Sequence, residues 1–160
     1  MRGDRRAASV IVAIALWLSV GATAGETAGG TGDYSVIVHP SNSVGAMSRA
    51  QLSDLFLRRA TRWGNGQRVL PVNLVAQSSL REAFSQTINR KSVAAERAYW
   101  QRQIFTGRGV PPVEVASEED VLAYVAKNPG AVGYVSRGRI TAEVRELEIR
   151  DAEPAASGTP

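Results

Sequence analysis

The residues best placed to do chemistry in this chain are hydroxyls and cations, not a nucleophile with its base. At Ser78-Ser79-Leu80-Arg81, two serines precede a run with helical spacing and an arginine follows within the first turn. A helix start exposes backbone N–H groups without acceptors and carries the positive end of the helix dipole. Ser78 and Ser79 add hydroxyl donors there, so the segment can hold a small oxyanion, with Arg81 close by. The same serines would serve equally well as plain N-caps, and Arg81 would serve equally well as a solvated side chain.

Other chemistries lack their residues. There is no cysteine, and His39 is the lone histidine. Thiolate catalysis, disulfides and a His/Cys zinc site are therefore not expected. A Ser-His-acid triad would need His39 as its base, but His39 stands before Pro40 at a strand end, where a turn role fits better. Glu118-Glu119-Asp120 imitates a metal or acid–base cluster, yet acids in a first helical turn simply suit the dipole. No metal, no cofactor and no enzymatic activity are expected.

The elements that must position the serines follow from pattern. Tyr34-Ser-Val-Ile-Val38 is a β-rich run closed by His39-Pro40-Ser41-Asn42. Ser48 with Gln51 forms a capping box, after which Leu52, Leu55 and Phe56 share one helix face, with Arg58 and Arg59 at its end. Trp63 and the Gly64-Asn65-Gly66 turn lead to a strand through Val69, Leu70 and Val72. Ser79 with Glu82 reads as a second capping box, with Leu80, Phe84 and Ile88 as the buried stripe. Asn89-Arg90-Lys91 breaks that helix, and Ser92 starts a third, with Tyr99, Trp100 and Ile104 toward its end. A Gly/Pro loop from Thr106 to Pro112 precedes a short extended segment, Val113 to Ala116. Ser117 caps a fourth helix that Asn128-Pro129-Gly130 terminates. Ala131 to Val135 reads as a buried strand, and Val144 to Ile149 as one more. Strands alternating with helices predict an α/β domain with a parallel or mixed sheet.

At 160 residues the chain predicts one domain. Arg2, Arg5 and Arg6, the apolar run Ala7 to Val20, and Ala22-Thr23-Ala24 have the layout of a secretory signal peptide over residues 1–24. A retained anchor is the alternative, but the run is shorter than the ~20 residues a spanning helix needs. Export to a periplasm or beyond is expected, followed by a flexible Gly/Thr-rich linker over 25–33, the domain over 34–150, and a disordered tail over 151–160. Net charge is +4. Arg58, Arg59, Arg62 and Arg68 form the densest basic cluster, read as a solvated face or as an attractor of anions. Nucleic-acid binding is not expected, since the few aromatics mostly fall at core spacing.

Several segments together resemble the type II periplasmic solute-binding proteins, in particular the substrate-binding proteins of phosphate transporters. They are Val36-Ile-Val-His-Pro-Ser-Asn-Ser43, Leu52-Ser-Asp-Leu-Phe56 with Arg62-Trp63 and Gly66, Val69-Leu-Pro-Val72 with Ser78 to Phe84, and Asn128-Pro-Gly-Ala-Val-Gly-Tyr134. They occur in order from Tyr34 to Ser136. Tyr99-Trp100 with Ile104-Phe-Thr-Gly-Arg-Gly and Pro111-Pro112 looks like a feature of short members of the group.

The resemblance implies a single periplasmic-binding-protein-like lobe that takes inorganic phosphate or another small oxyanion and works with an ABC-type membrane transporter or a sensor protein. It implies Ser78, Ser79 and Arg81 as ligand-binding residues. Family members usually carry Ser-Gly-Thr at this helix start and an arginine four residues earlier; here the positions are Ser78-Ser79-Leu80 and Leu74. So little precedes Tyr34 that a half-site open to water is expected, which a homodimer or a protein partner would complete. The alternative is a ligand-degenerate interaction module of the same fold.

Overall fold

The computed structural model describes residues 33–150; the proposed signal peptide, nearly all of the linker and the C-terminal tail lie outside them. Strand β1 spans Tyr34–Val38 and β2 spans Ala46–Ser48. Helix α1 (Arg49–Phe56) starts with the expected capping box: Ser48 Oγ accepts from Gln51 N at 3.2 Å, and Gln51 Oε1 accepts from Ser48 N at 2.8 Å. Leu52, Leu55 and Phe56 face the core. The helix stops at Leu57 because Arg58 adopts a left-handed φ of 58°. The Gly64-Asn65-Gly66 turn follows, with Gly66 at φ 84°, a conformation glycine reaches without steric cost.

Strand β3 (Leu70–Leu74) leads into α2 (Ser79–Phe84), which continues as a wider π-helical turn over Ser85–Asn89. Arg90, at φ 50°, closes that segment. Helix α3 is Val93–Phe105, β4 is Val113–Val115, α4 is Glu118–Lys127 and β5 is Ala131–Ser136. The expected strand from Val144 to Ile149 is in fact two short strands, β6 (Arg145–Glu146) and β7 (Glu148–Arg150). Leu147 between them is buried and donates its N–H to Val36 O at 2.8 Å. β6 then pairs with β1, whereas β7 turns aside to pair in parallel with β2.

The main sheet has the order β4-β3-β5-β1-β6. β3 runs parallel to β4 and β5; β1 runs antiparallel to β5 and β6. This is a mixed α/β sheet with helices against it, as the alternating pattern predicted. β3 and β5, with Val72, Leu74 and Ala131 to Val135 almost fully covered, form the continuous apolar runs expected of strands buried on both faces. Helix α4 lies so close that a Cβ on Gly133 would stand 2.6 Å from Val121 Cγ1 and 2.8 Å from Val72 Cγ1. On the other side, Tyr134 stacks on Phe84 with centroids 3.8 Å apart, and Phe56 and Tyr34 meet Phe84 at 4.7 and 5.3 Å. Such contacts contribute about 0.5–1.5 kcal/mol each beyond area burial. Trp63 is buried and donates Nε1–H to Gly130 O at 3.0 Å. This joins the Gly64-Asn65-Gly66 turn to the turn before β5.

Candidate functional site

The parallel strands β3, β4 and β5 end at one edge of the sheet, the edge where open α/β folds bind ligands. Helices α2 and α4 begin there, after β3 and β4. Ser78, not Ser79, is the N-cap of α2: its Oγ accepts from Arg81 N at 3.3 Å and its backbone is extended. The expected Ser79–Glu82 capping box does not form. Glu82 instead accepts from Val93 N at 3.1 Å through Oε2 and from Gln86 Nε2 at 2.7 Å through Oε1, tying α2 to the start of α3. Ser78 N–H is satisfied by Val75 O at 3.1 Å, and Glu82 N–H by Ser78 O at 3.2 Å. The N–H groups of Ser79 and Leu80 are left as the helix's orphan donors, and Ser79 is exposed.

Arg81 is not a solvated side chain. It is 3% exposed and points inward. Its Nη2 donates to Glu96 Oε2 at 2.8 Å, Nη1 to Leu74 O at 3.1 Å and Nε to Ser85 Oγ at 3.2 Å. Glu96, from the first turn of α3, is itself 2% exposed, and its other oxygen accepts from Asn89 Nδ2. A carboxylate on Glu114 stands 3.8 Å from Arg81 Nη1. Beside this network, Tyr134 Oη donates to Asn73 Oδ1 and accepts from Leu74 N, both at 3.3 Å. Burial pushes the Tyr134 phenol well above its ordinary pKa, against the opposing pull of the Arg81 charge.

Ser78, Ser79 and Arg81 therefore share one helix turn but face different ways: two hydroxyls at the sheet edge and a guanidinium beneath it. Leu74, where the resemblance expects an arginine, is 2% exposed, yet the guanidinium of Arg81 reaches its carbonyl. Sequence reasoning passed over Glu96 and Asn89. A signal for Glu96 was present, since Val93, Glu96 and Trp100 recur at helical spacing and all three are buried. A charge in that stripe implies a buried counter-charge.

The start of α4 has the opposite character. Ser117 and Asp120 form a capping box, and Glu118 and Glu119 fill the first turn. Glu118 accepts from the Ser136 hydroxyl at 3.0 Å, and Arg139 pairs with Glu119 and, at 3.5 Å, with Glu118. These acids act as caps and ion-pair partners, and among the described residues no group of three or more His, Cys, Asp or Glu could hold a metal ion. His39 takes a turn role, with Nδ1 2.7 Å from Ser41 Oγ and 3.1 Å from Ser41 N. A cleft of about 250 Å³, lined by Ala76, Arg81, Trp100 and Glu114 among others, borders the site. A larger cavity of about 690 Å³ opens between β1 and the β6–β7 segment and includes none of Ser78, Ser79 and Arg81.

The fold is similar to part of several solved substrate-binding proteins of phosphate transporters. An ABC-type phosphate transport receptor from Vibrio cholerae superposes with a TM-score of 0.59 at 21% identity, over 73% of this chain and 46% of the receptor. A Clostridium perfringens protein solved with bound phosphate matches with a TM-score of 0.61 at 20% identity, over 73% of this chain and 44% of that one. PstS from Borrelia burgdorferi matches with a TM-score of 0.56 at 14% identity, over 76% and 49%. The chain thus spans less than half the length of these solved structures. No protein-family model and no curated protein matches it.

Proposed function

We propose that this chain is an exported oxyanion-binding lobe, with inorganic phosphate or a similar small oxyanion held at the start of α2, serving a membrane transporter or a sensor. The observation that carries the reading is the α2 start itself. At the ligand-binding edge of this fold, Ser79 and Leu80 present amides without acceptors, Ser78 and Ser79 bring hydroxyls, and α2 carries no carboxylate before Glu82. The Clostridium perfringens neighbour, solved with bound phosphate, supports phosphate as the first anion to try. In this reading Arg81 acts from below: it fixes the β3–α2 turn through Leu74 O and contributes positive potential that Glu96 partly cancels.

The described residues form one wall of such a site, so binding is expected to be weak until a second surface covers it. Burial of Arg81 against Glu96 favours the second reading, a lobe of this fold that has given up its ligand and works through partners.

Thermal unfolding of the chain with phosphate or sulfate at matched ionic strength separates the two. A phosphate concentration ten times the Kd stabilises by about 1.4 kcal/mol, a rise of about 4–8 °C in Tm for a domain of this size. A rise with phosphate that sulfate does not match supports the oxyanion site. No rise with either anion up to tens of millimolar removes it and leaves the partner-binding reading.

A further inference from the structure

The outer face of α3 and the turn that follows it stand apart from the rest of the surface. Between Ser85 and Val113 the chain carries Arg90, Lys91, Arg97, Arg102 and Arg108 against a single acid, Glu96. That acid is buried beneath Arg81, so this stretch offers solvent no carboxylate of its own. At its end the apolar side chains turn outward. Phe105 is 93% exposed, Val110 62% and Ile104 55%. Trp100 is the last buried residue of α3, and Ile104 and Phe105 in its final turn are exposed.

Arg102 lies three residues before Phe105, on the same side of the helix, and Arg108 lies three after it. The turn is held in shape: Thr106 N–H bonds Arg102 O at 3.0 Å, Gly107 N–H bonds Ile104 O at 3.0 Å, Arg108 N–H bonds Gln103 O at 2.9 Å, and Gly107 sits at φ 66°. Phe105 is therefore presented on a fixed turn.

We propose that this face docks on an anionic lipid bilayer, with Phe105, Ile104 and Val110 entering the headgroup region and Arg102 and Arg108 on the lipid phosphates. Charge complementarity selects the occupant. A second copy meeting the same turn would set Arg102 and Arg108 against their own counterparts. A bilayer needs no recess, and Phe105 is absent from the walls of the neighbouring cleft that Ile104 borders; an aromatic protruding between arginines suits an interface where apolar area and surface charge both contribute to binding.

The absence of cysteine allows a local readout. Thr106→Cys carries an environment-sensitive nitrobenzoxadiazole label beside Phe105, and Asn65→Cys carries the same label on the Gly64-Asn65-Gly66 turn. Each is mixed with vesicles of phosphatidylglycerol and phosphatidylcholine, with pure phosphatidylcholine vesicles, and with soluble poly-glutamate. The expected result is a blue shift at position 106 with the anionic vesicles alone, weakened by salt, and a smaller or absent shift at position 65. In the position-106 reporter, Phe105→Ala is expected to weaken partitioning about tenfold, and Arg102→Ala or Arg108→Ala about fivefold each. The proposal is overturned if position 106 stays unshifted with anionic vesicles, or if Phe105→Ala leaves the shift intact. A response to poly-glutamate without vesicles would instead mark the face for an acidic protein. A shift that grows with protein concentration alone would mark a second copy.

Discussion

The starts of α2 and α4 lie at the same edge of the sheet, follow parallel strands, and use the same N-capping residue, yet they treat charge in opposite ways. At α4, Ser117 is joined by Glu118, Glu119 and Asp120, which satisfy the helix dipole from within the chain and bind Ser136 and Arg139. At α2, Ser78 caps alone, the amides of Ser79 and Leu80 lack acceptors, and the first acid of the helix, Glu82, is committed to Val93 and Gln86. One start has supplied its own anions; the other has left that place open. The difference teaches that a Ser-capped helix start identifies an anion site only after its first-turn carboxylates have been followed to their partners.

The largest effect should come from unseating the charge beneath α2. Glu96→Gln leaves the buried Arg81 guanidinium with only the half-exposed Glu114 carboxylate at 3.8 Å as counter-ion, and breaking one side of a buried pair costs about 3–5 kcal/mol. Urea unfolding should show that loss, and the double variant Arg81→Met/Glu96→Leu should recover most of it, because an apolar pair of similar volume removes both desolvation costs. If Glu96→Gln is neutral, the ion pair is not what holds the α2 start against β3.

A smaller effect is expected at Tyr134. Its phenol is bonded to Asn73 and Leu74, and burial raises its pKa above the ordinary 10.0. The unfolded chain loses this proton first as pH rises, so the native state binds more protons above about pH 10. Stability contributed by the buried neutral phenol is complete below that pH and declines as pH climbs toward the native pKa. Tyr134→Phe should cost about 1–3 kcal/mol at neutral pH, by stranding polar partners, and should flatten the alkaline decline. An unchanged slope above pH 10 in the variant would assign the decline to other groups.

The smallest effects sharpen the comparison most directly. Ser117→Ala and Ser78→Ala should each lower stability by about 1 kcal/mol through loss of the cap. Only Ser78→Ala should also reduce the stabilisation by phosphate, measured by calorimetry. It should reduce it more than Arg62→Ala does, since Arg62 donates to Gly66 O at 2.9 Å within its own turn. Equal losses in Ser78→Ala and Arg62→Ala would replace a site with diffuse attraction to the basic face.

Local order was written plainly in the sequence. The Ser48, Ser92 and Ser117 caps, the stop at Asn128-Pro129-Gly130 and the strands at Tyr34–Val38 and Ala131–Ser136 all depend on residues within a few positions of one another. Turn chemistry and period are local, so one chain suffices to read them. Short-range pattern was less decisive where two readings overlapped. Ser78 and Ser79 are both competent caps, and the extended backbone at Ser78, with Val75 O accepting its N–H, selected the first. Val144 to Ile149 alternates like one strand, but Leu147 is drawn into the core, and its two flanks pair with different partners.

What only tertiary structure decided was the direction of charge and of apolar surface. Arg81 lies 15 residues from Glu96, on another helix, and became a buried ion pair because the π-helical turn and Arg90 bring α3 back against α2. Ile104 and Phe105 are apolar, yet the fold leaves them outside, 55% and 93% exposed. Composition fixes which side chains are available and local spacing fixes which elements form. Which charges meet and which apolar groups stay wet follows from where the elements cross, and that is set by the packing of residues far apart in the chain.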